Sequence, residues 1–524
     1  MERTVNTGMK LNILMKTARN VVLEISDNDV YETKKTYEIF VNGEYRCSTN
    51  RVITSIYGLW PDTDYQVQIR CDSVVLAEDV FHTDYEFVTL DVTKFGAKGD
   101  GIQDDTTYIQ AAIMACPRDS RVYFPKGTYK VTSIFLKSDI RIEFAKDAML
   151  SADTDREHFP KFPGLIESFD EEEEYNLGTW EGNPLIMYSG IITGVNVENV
   201  IIYGQGIIEG NSSRENWWFN EKVMRGAFRP RLFFINHCKN VILQGLLFRN
   251  SPAWTLHPYF SDNIGFYDVA VENPHNSPNT DGLDPESCQN VDIVGVRFTL
   301  GDDCIALKSG KIYMGRKHKR PSKNITIRQC LMENGHGAVT IGSEMAGGVN
   351  NVIVKDCIFR HTDRGLRIKT RRGRGKDAIL DEIVFENIQM DNVMTPFVVN
   401  AFYFCDPDGR TEYVQSREYH PVDERTPHIK HLAFRNIICK DCHVAAAYFY
   451  GLPEKKIEFI EMKNISVTYA ENPRKDVPAM MNGIEPCSKL GIYANNIEKM
   501  SIENVVIAGQ DGEAMTLLNI DYVK

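Results

Sequence analysis

The sequence predicts an all-β protein: a right-handed parallel β-helix over residues 91–524, preceded by a small β-sandwich over residues 1–90. Three observations carry the expectation. Short alternating strands fill the first ninety residues; beyond them a unit with an Asn ahead of a β-branched run recurs every roughly 20–35 residues, a solenoid period; and no regular helical segments separate its copies.

The sandwich rests on "NVVLEIS", "TYEIFVNG", "YQVQIRCD" and "YEFVTL", which alternate apolar and polar residues between turn residues. In "GLWPDTDYQVQIR", Leu59, Pro61, Thr63 and Tyr65 resemble the loop and tyrosine corner of fibronectin type III domains. There the Tyr hydroxyl ties a loop back to backbone. The resemblance implies a module without chemistry of its own, one that covers an end of the larger domain, extends its groove or mediates assembly.

From Asp91 the text changes. "FGAKGDGIQDDTTYIQAAIMACP" holds a Gly-rich turn, Asp104 or Asp105 as N-cap, and an amphipathic stretch through Ile109, Ala112 and Ile113 that ends before Pro117. "GAKGDG" lacks the Walker pattern, so a short helix closing the end of a β-structure is expected rather than a phosphate loop. The recurring unit follows: "KNVILQGLLFRNS", "DNIGFYDVAVENP", "QNVDIVGVRFTLG", "KNITIRQCLMENG" and "NNVIVKDCIFRHT", with weaker echoes at 381, 430 and 498. Its asparagines are Asn240, Asn263, Asn290, Asn324 and Asn351. The LxxLxLxxN pattern of leucine-rich repeats is absent. Two strands per repeat cannot bury a face alone but can in a stack. Coils then rise about 4.8 Å apart, and residues one coil apart become lateral neighbours. Cys330 and Cys357, at matching places, are expected to stack as small buried hydrophobes.

Composition narrows the partners. A net charge of -13 argues against a nucleic-acid binder, because no basic excess neutralises phosphates, but a local cluster can still hold an anion. No run of about 18 apolar residues occurs, so no membrane span is expected. The opening "MERTVNTGMKLNILMKTARNVVLEI" lacks a signal-peptide pattern, which is expected of a cytoplasmic protein. The twelve cysteines are scattered along the chain, and neither a metal nor another cofactor is expected.

The polar residues that the solenoid gathers are the informative ones. Asp281 in "NTDGLD", Asp302 and Asp303 in "GDDC", His336 in "GHG", and Arg367 with Lys369 in "RIK" fall on successive rungs of one face. Alternation in "RIK" sends Arg367 and Lys369 to one side and Ile368 to the core. Taken alone, Asp281 reads as an Asx-turn residue, and the Asp302–Asp303 pair as a turn cap or a calcium ligand. Calcium sites spread oxygen ligands over more positions, and the nearby His and basic residues oppose one. Asn279 and Gly282 are expected to hold the turn, and Asp284 to be solvated. Arg364, Arg371, Arg372 and Arg374, beside Lys369 in an acidic protein, favour an anion site over a solvated face. Clustered carboxylates raise one member's pKa. The protonated member can donate to a glycosidic oxygen while an ionised partner activates water, with about 6.5–9.5 Å between acid and base in the inverting arrangement. A Lys or Arg fork would clamp a substrate carboxylate. The pattern points to hydrolysis of an acidic sugar linkage.

"NTDG", "GDDC", "GHG" and "RIK", in that order, resemble the four signatures of glycoside hydrolase family 28, the polygalacturonases, and "FGAKGDGIQDDTTYIQAAI" with "VYFPKGTY" looks like the opening of these β-helices. The resemblance implies inverting hydrolysis of α-1,4-linked galacturonate in polygalacturonate or its oligomers. It implies Asp302 as general acid, Asp281 and Asp303 as the water-activating pair, and His336 as a residue tuning Asp302 or orienting a neighbour. The substrate-binding set it suggests is Arg367, Lys369, Asn279, Lys308, Arg364, Arg316 and Trp217, the last as a stacking platform with Trp218. Intact "GHG" and "RIK" favour homogalacturonan over rhamnogalacturonan, and β-elimination calls for a base with metal or Arg assistance instead. Insertions at 169–184, 211–231, 311–323 and 403–428 are expected to wall the cleft into a pocket. With the preceding sandwich, this is similar to bacterial exo-polygalacturonases that remove digalacturonate from the non-reducing end. Monogalacturonate release, endo cleavage and a catalytically silent pectin-binding solenoid are the alternatives.

Overall fold

The computed structural model describes residues 9–167, 174–311 and 320–524. Its first part is two antiparallel sheets. One holds Lys10–Lys16, Asn20–Ser26 and Ile53–Tyr57; the other holds Glu44–Arg51, Glu32–Val41, Asp64–Cys71 and Val74–His82. Alternate residues face inward, so Val21, Leu23 and Ile25 meet Ile39, Val67 and Ile69 in one buried cluster. The Trp60 amide donates to the Tyr65 hydroxyl at 2.8 Å, the bond that the tyrosine-corner resemblance implies.

From Thr89 onward the chain winds into a parallel β-helix of three strand columns. The first column contains Ile140–Phe144, Glu198–Gly204, Lys239–Gln244, Asp262–Tyr267, Gln289–Val294 and Ser322–Arg328, each paired in parallel with the next. The second starts at Ala148–Ala152 and passes through Leu247–Arg249, Ala270–Glu272 and Arg297–Thr299. The third runs from Ile134–Phe135 through Phe233–Asn236 and Leu256–Tyr259, then bridges at Leu283, to Ile305–Leu307, Val339–Gly342, Arg364–Lys369 and Thr395–Asn400. The interior is one apolar stack in which Cys330 and Cys357 are fully buried.

The repeating asparagines explain why the coils turn in register. Asn240, Asn263, Asn290, Asn324 and Asn351 all have φ between 52° and 58°, the left-handed region that Asn tolerates better than other side chains. Their amides also hydrogen-bond along the stack: Asn263 to Asn240 at 3.1 Å, Asn324 to Asn290 at 3.0 Å, Asn351 to Asn324 at 2.9 Å. At the first coil, helix Thr106–Ala115 lays Ile109, Ala112 and Ile113 over the open end. The Asp104 carboxylate accepts from the Thr106 amide, whereas Asp105 turns back to the Lys98 and Gly99 amides.

The sandwich docks on the turns between the first and second columns. Gln244 donates to Ser55 and Tyr57, and Asp268 accepts from Arg51 at 2.7 Å and Ser55 at 2.6 Å. Met15, Val22, Val52 and Ile53 pack on Val294. Gly295 (φ 68°) has to lack a side chain, because a Cβ there would lie 2.6 Å from Ile53. Among the described residues, none of the sandwich lines the third-column cavity described next.

Candidate active site

The third column brings the polar motifs together. The Gly282 amide donates to Asp303 O, the Cys304 amide to Gly337 O, and the Ala338 amide to Arg364 O. Asp281, Asp303, Gly337 and Arg364 therefore occupy one lateral line on four successive rungs. Gly337 is required on that line: a Cβ would meet the Thr340 hydroxyl at 2.2 Å and the Asp303 carboxylate at 2.9 Å.

Above the line lies a cavity of about 430 Å³. Its floor carries Asp281, Asp302 and Asp303, which offer one carboxylate oxygen each, all within 4.8 Å of one another. That is tighter than the expected 6.5–9.5 Å between acid and base. Nearest oxygens give a lower bound on carboxyl separation, and one water can bridge two oxygens up to about 5–6 Å apart. The same three oxygens are close enough to hold a cation. Positive charge already covers them, however: Arg367 and Lys369 reach Asp303 at 3.1 and 2.8 Å, and Lys308 lies 3.9 Å from Asp281.

These neighbours divide the carboxylates. Burial would raise the Asp303 pKa, but Lys369 and Arg367 outweigh it and hold the group well below the usual carboxylate range. Asp281 is pushed the other way, by burial first and then by the charges of Asp302 and Asp284. Asp303 is thus the readier of the two to ionise, and Asp281 the readier to hold a proton. Asp302, only partly buried, accepts from the Asp303 amide at 2.9 Å and faces the cavity. His336 is exposed at the rim, where Nδ1 bonds the Asp363 carboxylate at 2.7 Å; that bond raises the imidazole pKa.

Other expected site residues are placed differently. Lys308 lines the cavity but is 3% exposed and already paired, with Glu344 at 3.0 Å and Asp284 at 3.6 Å. Asp284 is not solvated: it is fully buried beside Lys308. Asn279 (φ 54°) accepts from Arg229 at 2.7 Å and holds the turn at the cavity wall. Trp217 is fully buried against Phe159 and Tyr188, with Arg156 over its ring, so it presents no face to a sugar. The tryptophan at the cavity is Trp254, with the Lys308 ammonium 4.4 Å from its ring centre. Arg371 and Arg374 bind Asp406, Arg371 also binds Asp408, and Arg372 binds Glu454. They anchor loops rather than form an open anion site. Arg316, with Lys317 and Lys319, lies outside the described residues; Arg320 pairs with Asp262 at 2.6 Å.

Among the described residues three segments wall the cavity: Glu181 from the 169–184 insertion, Tyr403, Cys405 and Asp406 from the 403–428 insertion, and Asp476, Val477 and Met480 from 470–489; the 211–231 insertion contributes no residue to it. The 470–489 segment was not among the expected insertions. It is braced on its neighbour, since Arg417 donates to Asn482 O and the Asn482 amide to Gln415. Asp363, Glu344 and Trp254 were also missed. Asp363 carried a usable signal, because counting one coil from "GHG" lands on "DR", ahead of "RIK".

A parallel β-helix with carboxylates and cations lining one column has the form of a carbohydrate-cleaving protein. The sequence comparison gives the family: residues 127–484 match the model of Glycosyl hydrolases family 28, and the chain belongs to that family. Residues 89–143 also match a Rhamnogalacturonase A/epimerase, pectate lyase-like model. A probable polygalacturonase of Vitis vinifera is 29% identical over 413 residues, 76% of this chain and 79% of that one. The exo-poly-alpha-D-galacturonosidase of Dickeya chrysanthemi is 25% identical over 442 residues, 75% of this chain and 72% of the other. Among solved structures, the family 28 exopolygalacturonase of Yersinia enterocolitica shares the fold with a TM-score of 0.72 over 99% of each chain, at 17% identity.

Proposed function

We propose that the protein is an exo-acting polygalacturonase that hydrolyses α-1,4-galacturonosyl linkages with inversion, from the non-reducing end of polygalacturonate or its oligomers, and releases digalacturonate. Family membership and the polygalacturonase relatives support the substrate. The observation that carries the exo mode is the walled cavity: the segments 403–428 and 470–489 brace each other beside the carboxylate floor. A volume of about 430 Å³ is in the range of small-ligand sites and supports a short terminal occupant rather than a chain running through.

In the proposed step, Asp302 gives its proton to the glycosidic oxygen as the bond to the anomeric carbon breaks. Water attacks from the opposite face and passes a proton to Asp303, which Arg367 and Lys369 keep ionised beforehand. Asp281, whose pKa burial and the neighbouring acids raise, helps orient the water by a hydrogen bond. Solvent exchange then returns both groups to their starting states. General acid catalysis contributes about 10²–10⁴ in rate, so Asp302→Asn should lose at least about 10²-fold in kcat. The deciding experiment is the early product profile from polygalacturonate, with proton NMR of the newly formed anomer. One short product, slow viscosity loss and inverted configuration are expected. A ladder of intermediate oligomers would reject the exo mode, and a retained anomer the inverting step.

A further inference from the structure

We propose that the outer face of the first column carries a second saccharide site, one that takes a neutral hexopyranose chain. It stands independently of the hydrolase reading, because it shares no lining residue with the third-column cavity.

A groove of about 410 Å³ opens on this face beside the docked sandwich. Its origin is a single rung. Ile242, Gly265, Asp292 and Thr326 are consecutive outward neighbours in the parallel register, and Gly265 is the member without a side chain. The Tyr267 ring, two residues on along the same strand, folds over that space: a Cβ at position 265 would lie 2.5 Å from it. Ile242 and Tyr267 also pack against Met15, Val22, Val52 and Ile53 of the sandwich. The groove therefore ends where sandwich and β-helix meet, a common place for ligand sites. A tyrosine ring beside an isoleucine gives the apolar C–H face of a pyranose a surface to stack on, with a hydroxyl at its edge.

The polar side of the groove is the place where the asparagine ladder breaks. Asn240 donates to Asn199 at 2.9 Å and Asn263 to Asn240 at 3.1 Å. The ladder resumes with Asn324 to Asn290 at 3.0 Å and Asn351 to Asn324 at 2.9 Å. Among the described residues no bond joins Asn290 to Asn263. At that one step the Asn290 amide keeps its donors and the Asn263 carbonyl its lone pairs, and both residues line the groove. Asp292, exposed two positions beyond Asn290, adds a carboxylate that no cation of the described residues approaches within 4.0 Å. Free donor, free acceptor and carboxylate on neighbouring rungs suit the hydroxyls of a sugar, each of which donates and accepts at once. Charge sets the class. No lining residue is a cation, and Arg328, one rung beyond Asp292, is paired with Glu24 of the sandwich. A uronate would face Asp292 uncompensated, whereas a neutral sugar would not.

The test uses the full chain with β-1,4-galactotetraose and cellotetraose as neutral probes and tetragalacturonate as the acidic one, read by saturation-transfer NMR and calorimetry. Two variants at exposed positions report on the groove. Asn290→Asp keeps a residue that tolerates the left-handed turn but replaces the free amide donor, and Asp292→Ala removes the carboxylate. Wild-type protein should bind at least one neutral probe, and each variant should weaken that binding about 10-fold or more. Tetragalacturonate binding and turnover should stay as in the wild type, which also shows that both variants are folded. Neither neutral probe binding to the wild type at millimolar concentration would overturn the proposal. So would neutral-probe binding that both variants leave unchanged, which would put the sugar elsewhere. Loss of tetragalacturonate binding in the variants would likewise overturn it, since the groove would then take the acid.

Discussion

Replacing Lys369 by Met tests whether the cations beside Asp303 act on the base. The Lys369 ammonium is 2.8 Å from the Asp303 carboxylate, and both side chains are nearly buried. At an effective dielectric of about 20, charges at that separation interact by roughly 6 kcal/mol. One pH unit corresponds to about 1.4 kcal/mol, so the pair sets an upper limit of about 4 pH units on the change. Arg367 stays at 3.1 Å and water can enter beside the methionine, so an upward move of about 1–2 pH units is expected. The sign follows from the direction of the shift. Asp303 is held low and is ionised across the working range; without Lys369 its proton affinity rises, and activity should disappear earlier as pH falls. The acidic limb of kcat/KM against pH, measured on an oligogalacturonate, should therefore move upward in Lys369→Met and stay near its place in Lys369→Arg. The lost ion pair contributes to stability only above the ordinary carboxylate range and fades as pH falls through the folded-state value, so the variant's melting temperature should approach that of the wild type under acid conditions. An unmoved limb with full kcat/KM at neutral pH would show that Asp303 is not the titrating base.

Three further outcomes follow from the same geometry. Because burial and the neighbouring acids raise the Asp281 pKa while Lys369 and Arg367 lower that of Asp303, Asp281→Asn should cost about tenfold in kcat and Asp303→Asn about 10³-fold; equal losses would mean that the two share one role. Trp217→Ala should destabilise the fold by about 3–5 kcal/mol in denaturant titrations while leaving KM unchanged, and a rise in KM alone would restore Trp217 to the substrate. The His336 imidazole should titrate above its ordinary pKa of about 6.5 and fall toward it in Asp363→Asn; the stabilisation from that bond is present at low pH and is lost as pH rises through the folded value, which NMR titration and melting curves can both follow.

The solenoid was legible because its rule is local. An Asn in the left-handed region followed by a β-branched run marks every turn, and the marks survive insertion of loops between them. Once the coils are counted, the motifs must stack: "NTDG", "GDDC" and "GHG" each lead into a strand or bridge of the third column, and "RIK" ends the strand of the next coil. Pairing was not legible in the same way. Arg371, Arg372 and Arg374 look like a free basic patch, but Asp406, Asp408 and Glu454 reach them from 32–82 residues further along. Asp284 looks solvated because it is polar; only the packing of the coil around it and of Lys308 beside it makes it a buried group. Val477 and Met480 carry no chemical signal, and their place at the cavity depends on how 470–489 folds back. The charge split between Asp281 and Asp303 was hidden for the same reason: it depends on which carboxylate the cations touch.

The arginines after "RIK" also explain how a stack of identical rungs can hold a specific cavity. A β-helix face by itself is an open groove, since every coil presents the same width. Here the strand Arg364–Lys369 carries the base's cations, and the turn that immediately follows supplies Arg371, Arg372 and Arg374. Arg372 bonds both oxygens of Glu454 and the carbonyls of Tyr413, Ser416 and Glu418, so it ties the wall-forming segment to the coil that follows. Arg371 and Arg374 converge on Asp406 at the cavity edge. Breaking a buried pair of this kind costs about 3–5 kcal/mol because one charge is stranded, which makes the wall's position all-or-none rather than gradual. The strand that sets the charge of the base and the turn that fixes the wall are thus one continuous stretch of ten or so residues. The cations beside Asp303 and the arginines that fix the wall are consequently held in one register.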